Sequence, residues 1–169
     1  MNTEGKNYIS KEIKVIVFRL REQEYGVDVN QVKSIERVQD ITKVPEAPNF
    51  VKGIIDLRGV VTPIIDLRTR LNLSVTEDTD NTRVIIVNID GVEVGLIVDS
   101  ANDVIDIPIS SIEPPPPIAA GVRAVYLHGV AKLEDRLLIL LNLNKVLSSD
   151  EIKIIDEIGT DNNGSIKKY

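Results

Sequence analysis

Cysteine and tryptophan are both missing from the 169-residue chain, and histidine occurs once, at His128. Without cysteine there can be no disulfide, no thiolate metal ligand and no cysteine nucleophile. A lone histidine inside a strand-like run is more often structural than catalytic. The sequence also lacks a nucleophile-elbow serine, a phosphate-binding loop and a dinucleotide fingerprint. We therefore predict no catalytic residue, no metal site and no cofactor.

Long apolar runs are missing as well. Residues 1–12 are polar, without the apolar core of a signal peptide, and no uninterrupted apolar stretch reaches the length of a membrane span. This pattern predicts a cytoplasmic protein with no direct membrane insertion. The net charge is −6, and the basic residues are not segregated strongly enough to suggest a phosphate-binding face. We expect no nucleic-acid partner.

Short strands account for most of the apolar content. Hydrophobic residues make up 43% of the chain and are mostly Val, Ile and Leu. Val and Ile are β-branched, and β-branched residues favour strands. Each short apolar run is bounded by turn residues, a pattern typical of a barrel or sandwich. Asp90-Gly91 between two runs indicates a hairpin. Pro63 lies within a strand pattern, which predicts a sheet edge or a bulge.

The chain contains an internal duplication. KVIVFRL at 14–20 matches RVIIVNI at 83–89, and the same register aligns one Gly pair and two Pro pairs, with a second Gly pair after a seven-residue insertion. A β-rich chain matches itself easily, but shared Gly and Pro positions indicate shared turns. The aligned pairs include Gly26 and Gly95, Pro45 and Pro114, Pro48 and Pro117, then, after an insertion, Gly53 and Gly129, Ile64 and Leu140, and Ile65 and Leu141.

Each repeat has about 60 residues, too few to bury a large core alone. We therefore expect the pseudo-repeats 14–71 and 83–147 to pack as one cooperative unit. RLLILLNL and VIIVNI offer apolar side chains to both faces of a sheet, and this predicts a core shared between two sheets. We expect the side chain of Leu140 to be buried in that shared core.

The sequence predicts few helices. Brief helices are expected at Asn30 to Glu36, Leu67 to Leu71 and Asn142 to Leu147, with another short one starting at Ser149. Residues 1–12 are expected to be a flexible N-terminal segment and residues 148–169 a flexible C-terminal tail, since the last dozen residues are charged and rich in Gly and Asn. The folded domain is predicted to span residues 13–147.

One segment stands out, residues 51–68, VKGIIDLRGVVTPIIDLR. It joins two apolar strands through Leu57-Arg58-Gly59. An arginine beside a glycine at a strand junction projects a long cation from a tight turn. Such a turn is compatible both with an ordinary hairpin and with a binding site, because loops supply both.

This segment resembles the signature of the CheW family of chemotaxis coupling proteins. The shared elements are a Gly, two apolar residues, Asn/Asp-Leu-Arg-Gly, and an apolar-Pro-apolar-apolar-Asp-Leu-Arg stretch. The resemblance extends from about residue 13 to residue 147, through KVIVFRL, RVIIVNIDGVEVGLIVDSANDVIDI and RLLILLNLNKVL. CheA kinases and CheV proteins carry a similar domain, but no kinase module precedes this one and no receiver domain follows it. A free-standing domain that begins at Met1 is therefore expected to be an intact adaptor.

The resemblance implies an all-β fold of two intertwined five-stranded SH3-like barrels with a few short helices. It implies a non-enzymatic adaptor that couples chemoreceptors to the histidine kinase CheA at membrane-associated receptor arrays. The receptor's cytoplasmic tip would dock in a groove beside the first barrel. The CheA regulatory domain would bind barrel to barrel, and other copies of the adaptor are further candidate partners.

The resemblance also assigns residues. Arg58 matches a receptor-facing arginine, and Val32 matches an apolar receptor-facing position on a short helix. Ser34 stands where many relatives carry an acidic residue, and Glu36 lies near enough to replace it. Gly53 falls where relatives bring a turn close to the kinase.

Three alternatives stay open at this stage. The chain could be a fragment or relative of the regulatory domain of CheA or of CheV. It could be a small β-barrel that binds nucleic acid, which a salt titration with RNA would reveal. It could also be an enzyme whose catalytic residues come together only in the fold.

Overall fold

The computed structural model describes residues 11–167, except for the side chains of Asn102 and of residues 164–167. Most of the predicted N-terminal segment, and residues 168–169 of the predicted tail, lie outside the described residues. The strands are β1 (Glu12–Leu20), β2 (Gln23–Asp28), β3 (Val32–Arg37), β4 (Val51–Leu57), β5 (Val60–Asp66), β6 (Arg83–Ile89), β7 (Val92–Val98), β8 (Ser100–Pro108), β9 (Ile112–Glu113), β10 (Ile118–Ala119), β11 (Val122–Arg123), β12 (Leu127–Lys132) and β13 (Leu137–Leu141). The helices are α1 (Leu67–Arg70), α2 (Leu143–Val146) and α3 (Ser149–Lys167), with 3-10 turns at Val29–Gln31, Ile109–Ser111 and Ala124–Tyr126.

Two main sheets are formed by exchange of strands between the repeats. The first sheet has the order β8-β1-β2-β13-β12-β9, and the second has the order β3-β6-β7-β5-β4. The first repeat gives β1 and β2 to the first sheet and β3, β4 and β5 to the second. The second repeat does the reverse, with β6 and β7 in the second sheet. The predicted SH3-like pair of intertwined units is confirmed, although hydrogen bonding among residues 11–167 closes neither sheet into a complete barrel.

The predicted duplication is visible in the strand register. Where the repeats meet, β2 pairs in parallel with β13 and β5 pairs in parallel with β7. Leu140 lies beside Gly26 in the first pairing, and Ile64 lies beside Gly95 in the second. A Cβ on Gly26 would come within 3.1 Å of the Leu140 side chain, and a Cβ on Gly95 would collide with Ile64. Glycine therefore fits both places best, because the partner strand's side chain occupies the space that a Cβ would take.

Alternating apolar residues build three core clusters. On β6, Val84 and Ile86 face the interior of the second sheet, while Ile85 and Val87 face a large cluster shared by both sheets. On β13, Ile139 and Leu141 face the shared cluster. Strands buried on both faces explain the unbroken apolar runs in the sequence. The shared core predicted from those runs is confirmed.

Leu140 itself was assigned to the wrong cluster. It packs with Val15, Val17 and Leu138 inside the first sheet, not between the sheets. The reason is the two-residue period of a strand, which sends neighbouring side chains to opposite faces. Leu141 is the residue of this pair that lies in the shared core.

The predicted helix at residues 30–36 is wrong. A single 3-10 turn, capped by the Asp28 carboxylate, leads directly into β3. Strand pairing with β6 overrides the weak local helix signal. The helices predicted after Asp66 and Asn142 are confirmed, and in both the preceding side chain accepts a hydrogen bond from the backbone N–H two residues on.

Pro63 was expected at a sheet edge or a bulge, but β5 lies between β4 and β7. Val61, two residues earlier, donates its N–H to Asn163 of α3 rather than to β4. Because the backbone N–H groups of every second strand residue point the same way, the backbone nitrogen of Pro63 also points away from β4. β7 begins to pair with β5 only at Ile64, so the N–H that proline lacks would have no strand partner.

The helix predicted to start at Ser149 is confirmed, but it is longer than expected: residues 149–167 form α3, where a flexible tail was expected. Ser148 and Glu151 exchange hydrogen bonds as a capping box, with distances of 2.8 and 3.1 Å. Ile152 and Ile155, three residues apart on one helix face, are buried in the shared core. Their burial fixes the first half of the helix against the sheets.

A buried arginine joins elements that are distant in the chain. The Arg68 side chain is 1% exposed and makes a two-pronged ion pair with Asp66, with both N–O distances 2.9 Å. It also donates to Asp99 at 2.7 Å, and Asp99 accepts the backbone N–H of Arg21 in the β1–β2 turn. Hydrogen bonds from Arg68 to Asp66 raise the pKa of the guanidinium above its ordinary value. The cluster therefore links the two sheets electrostatically.

Leu141→Ala should lower the free energy of unfolding by about 2–5 kcal/mol, because it empties part of the shared core. Urea denaturation gives the magnitude, and amide hydrogen exchange shows which residues open together. We expect residues 14–71 and 83–147 to lose protection together in this variant. The companion variant Leu140→Ala should show the same pattern. Independent opening of residues 83–147 while residues 14–71 stay protected would contradict a shared cooperative core.

Arg68→Leu should lower the free energy of unfolding by about 3–5 kcal/mol, since it leaves buried carboxylates without their cation. Lys14→Ala is the matched control, because Lys14 pairs with Asp106 at 2.9 Å on the surface, where both side chains are about half exposed. The control should cost at most about 1 kcal/mol. A similar, small loss for both variants in urea denaturation would show that the Arg68 cluster is energetically neutral.

Candidate interaction site

The Leu57-Arg58-Gly59 motif forms the tight turn between β4 and β5. Both central residues have positive φ, 52° at Arg58 and 87° at Gly59, as in the hairpin turns that match strand twist. The Asp56 carboxylate accepts the Gly59 N–H at 2.8 Å and holds the turn. Arg58 is 72% exposed on the tip of this rigid turn.

Arg58 contacts Glu36 across the second sheet. Its guanidinium lies 3.2 Å from the Glu36 carboxylate, of which only 14% is exposed. β3 and β4 are opposite edges of the sheet order, so this contact shows that the sheet curls back on itself. Two of the predicted site residues are therefore neighbours. Glu36 occupies only part of the hydrogen-bonding capacity of Arg58.

A bulge separates the remaining predicted residues on β3. Val32 lies opposite Val87, but Ser34 lies opposite Ile86, so Lys33 is the extra residue. Val32 therefore packs towards the shared core, whereas Ser34 and Glu36 lie on the face of Ile86 and Val84. Val32, Ser34 and Glu36 therefore do not lie in one row on one face of β3, as they would on a regular strand.

Sequence reasoning missed Ile35. It lies opposite the fully buried Ile85 but is itself 37% exposed, at the edge of the second sheet. Val60, which is 51% exposed beside the Arg58 turn, places apolar surface near the arginine, and Ile35 adds exposed apolar area on β3. A strand register with a bulge is not visible in a single sequence, and this explains why Ile35 was not identified. The Ser34 hydroxyl is buried and has no hydrogen-bond partner within residues 11–167.

Gly53 lies in β4, buried against the chain segment that precedes the strand. A Cβ on Gly53 would collide with the Thr42 carbonyl oxygen and come within 2.6 Å of the Ile41 side chain. Thr42 and Ile54 exchange two backbone hydrogen bonds at 2.8 and 2.9 Å, which hold this close approach in place. Gly129 is arranged in the same way against Glu113 and Ile112. An intramolecular contact therefore already requires glycine at residue 53.

Other charged groups lie away from this site. Arg136 donates two hydrogen bonds to Glu24, at 3.0 and 2.9 Å, which hold the pKa of Glu24 below its usual range. Burial raises the pKa of Tyr25 to about 12. Within the part of the chain that is described, no three His, Cys, Asp or Glu side chains gather as metal ligands would. None of its helices is both long and apolar enough to cross a membrane.

Comparison with known proteins decides the family. The family model described as the CheW-like domain matches residues 14–151. The chain belongs to the CheW-like domain family. It is 47% identical over 137 residues to a chemotaxis protein CheW of Bacillus subtilis (strain 168), and this match covers 81% of the chain and 88% of the relative. A chemotaxis protein CheW of Thermotoga maritima is 30% identical over 146 residues, or 85% of the chain and 93% of the relative.

A solved structure of a family member supports the architecture. The scaffolding protein TtCheW from Thermoanaerobacter tengcongensis superimposes with a TM-score of 0.76 and 38% sequence identity. The match covers 83% of the chain and 96% of that structure. The family model also reaches Glu151, so it includes the first turn of α3 but not the remainder of the helix.

Gly53→Ala should lower the free energy of unfolding by about 1–3 kcal/mol, because the Thr42 carbonyl must move to admit the methyl group. Gly129→Ala should cost a similar amount, since its surroundings are equivalent. Lys52→Ala, at an exposed position on the same strand, should change stability by at most about 0.5 kcal/mol. Thermal and urea unfolding give these values. An unchanged stability for Gly53→Ala would mean that the glycine serves a contact outside the chain.

Proposed function

We propose that the chain is a non-enzymatic adaptor that couples chemoreceptors to the histidine kinase CheA in bacterial chemotaxis. Its place is the cytoplasmic side of membrane-associated receptor arrays. It acts by holding both partners at once, without a cofactor and without a catalytic step. Other copies of the adaptor are further candidate partners.

The observation that carries the proposal is the match to the CheW-like domain over residues 14–151. The relatives are named as chemotaxis proteins, and the related structure is described as a scaffolding protein. The geometry of the Arg58 turn adds support. A cation held rigidly on a tight turn loses little conformational freedom on binding, and preorganised groups bind more tightly for that reason.

For the receptor, we propose the surface around Arg58 and Glu36, extended by Ser34 and by the apolar residues Val32 and Ile35. Arginine with nearby apolar area is the composition found in interface hot spots. The receptor tip is helical, and a helix can place apolar and acidic side chains on one face.

For the kinase, we propose the edge of the second sheet at β4, around Gly53. The side chain of Gly53 cannot itself be varied without moving Thr42. Lys52 is the better probe, because it is exposed on the same edge strand and packs in no core cluster. The edge of a sheet is a natural surface for barrel-to-barrel packing, and here the Thr42–Ile54 bridge covers only part of the β4 edge.

Arg58→Ala should weaken binding to the receptor tip by about 1–4 kcal/mol, the range for truncation of an interfacial hot spot. Folding should be little affected, since the Arg58 side chain is 72% exposed and pairs, within residues 11–167, with Glu36 at 3.2 Å. Isothermal titration with the cytoplasmic hairpin tip of a chemoreceptor measures the affinity. Titration with the CheA regulatory domain should give the wild-type value.

The matched control is Lys52→Glu, which should weaken binding to the CheA regulatory domain and leave receptor binding unchanged. The two variants thus separate the two surfaces on one small protein. Equal effects of both variants on both partners would contradict the assignment of sites. If the unmodified chain bound neither partner, the adaptor function itself would be wrong.

A further inference from the structure

The distal part of α3 is built differently from its first half. Its first half is held by the capping box, by Ile152 and Ile155 in the shared core, and by the ion pair between Arg70 and Glu151 at 2.7 Å. After Ile158 the chain continues Gly-Thr-Asp-Asn-Asn, a run of poor helix formers. We call residues 159–163 the strap.

The strap is attached to the sheets by polar contacts and little apolar burial. Gly159 lies against Pro63, and a Cβ there would be 3.4 Å from the proline ring. Residues of the strap are exposed or half-buried, none fully buried. An open groove of about 360 Å³ remains between the strap and β5. A helix segment with low intrinsic helix propensity and little buried apolar area opens at low free-energy cost.

The Asn163 side chain fastens the strap to β5. The Asn163 amide accepts the Val61 N–H and donates to the Val61 carbonyl, both at 2.9 Å. It therefore satisfies both backbone groups of a strand residue, as a neighbouring strand would. β7 does not pair with β5 at this position, since their pairing begins only at Ile64. Without Asn163, Val61 would present a free strand edge.

This edge lies beside the proposed receptor surface. Val61 follows Arg58 by three residues, and between them Val60 is 51% exposed. A partner helix that contacts Arg58 and Val60 would meet the strap next. The strap also shows what fits here, a helix that carries an amide side chain over the Val61 backbone.

We propose that the strap is a built-in competitor of the chemoreceptor tip, so that full receptor binding requires the strap to leave the edge of β5. This inference rests on the proposed adaptor function and concerns the regulation of the same surface. While the strap is closed, the apparent receptor affinity is reduced by the fraction of molecules that are open. Any event that opens the strap raises coupling to the receptor without altering CheA binding.

Asn163→Ala tests the proposal in the full-length chain, because it removes both contacts with Val61. Apparent affinity for the receptor tip should rise about fivefold or more, the effect expected from losing two hydrogen bonds that favour the closed state. Asn162→Ala is the matched control, since the Asn162 side chain donates to Ile158 of its own helix. It should leave receptor affinity within about twofold of the wild-type value. Affinity for the CheA regulatory domain should be the same in all three proteins.

Amide exchange at Val61 provides an independent readout of the strap. Asn163→Ala should accelerate exchange at Val61 while Leu96 in the core of the second sheet keeps its wild-type rate. Equal receptor affinity for wild type and Asn163→Ala, with measurable wild-type binding, would overturn the strap and leave the adaptor function intact. Absence of receptor binding in both proteins would instead refute the adaptor function, and the inference with it.

Discussion

Parallel pairing between strands of opposite repeats is the interaction on which the rest of the fold depends. β2 lies beside β13, and β5 lies beside β7, so each sheet is completed only by strands from the other repeat. Gly26 and Gly95 make both pairings possible because the facing side chains fill the space that a Cβ would take. The shared core, the curled second sheet and the Arg58 turn all follow from this exchange.

Polar contacts then fix how the two sheets are joined. Arg68 would be costly to bury alone, and its pairing with Asp66 and Asp99 offsets that cost. Asp99 also accepts the backbone N–H of Arg21 in the β1–β2 turn. Asp99 therefore connects Arg68, which follows β5 of the second sheet, to the first sheet. The same Asp-Leu-Arg sequence that suggested a family thus has a structural explanation that is independent of any partner.

Features with a local physical cause were predictable from the sequence, and features set by distant pairing were not. The matched Gly and Pro positions revealed the duplication, and the unbroken apolar runs revealed sheets buried on both faces. The bulge at Lys33 depends on the register with β6, about 50 residues away in the chain. It therefore hid Ile35 and placed Val32 on a strand instead of a helix. The burial of Ile152 and Ile155 could have been anticipated from their helical spacing, but the Gly- and Asn-rich end directed attention to disorder.

The candidate site shows the same division. The exposure of Arg58 and its nearness to Glu36 could be expected from the turn motif and the family resemblance. The environment of Gly53 could not, because the Thr42 carbonyl approaches it only once the segment before β4 folds back. A glycine that a family comparison relates to a partner can thus also be required by the chain's own packing.

The exchange of strands has a consequence for synthesis on the ribosome. Gln23 in β2 donates a hydrogen bond to the carbonyl of Leu137, 114 residues later. At translation rates of about 5–20 residues per second, the β1–β2 hairpin emerges roughly 6–20 seconds before β13. During that interval the edge of β2 that pairs with β13 has no partner strand, and an unpaired strand edge makes a folding intermediate prone to aggregation. Exposure of this edge therefore ends only when β13, the last of these strands, leaves the exit tunnel.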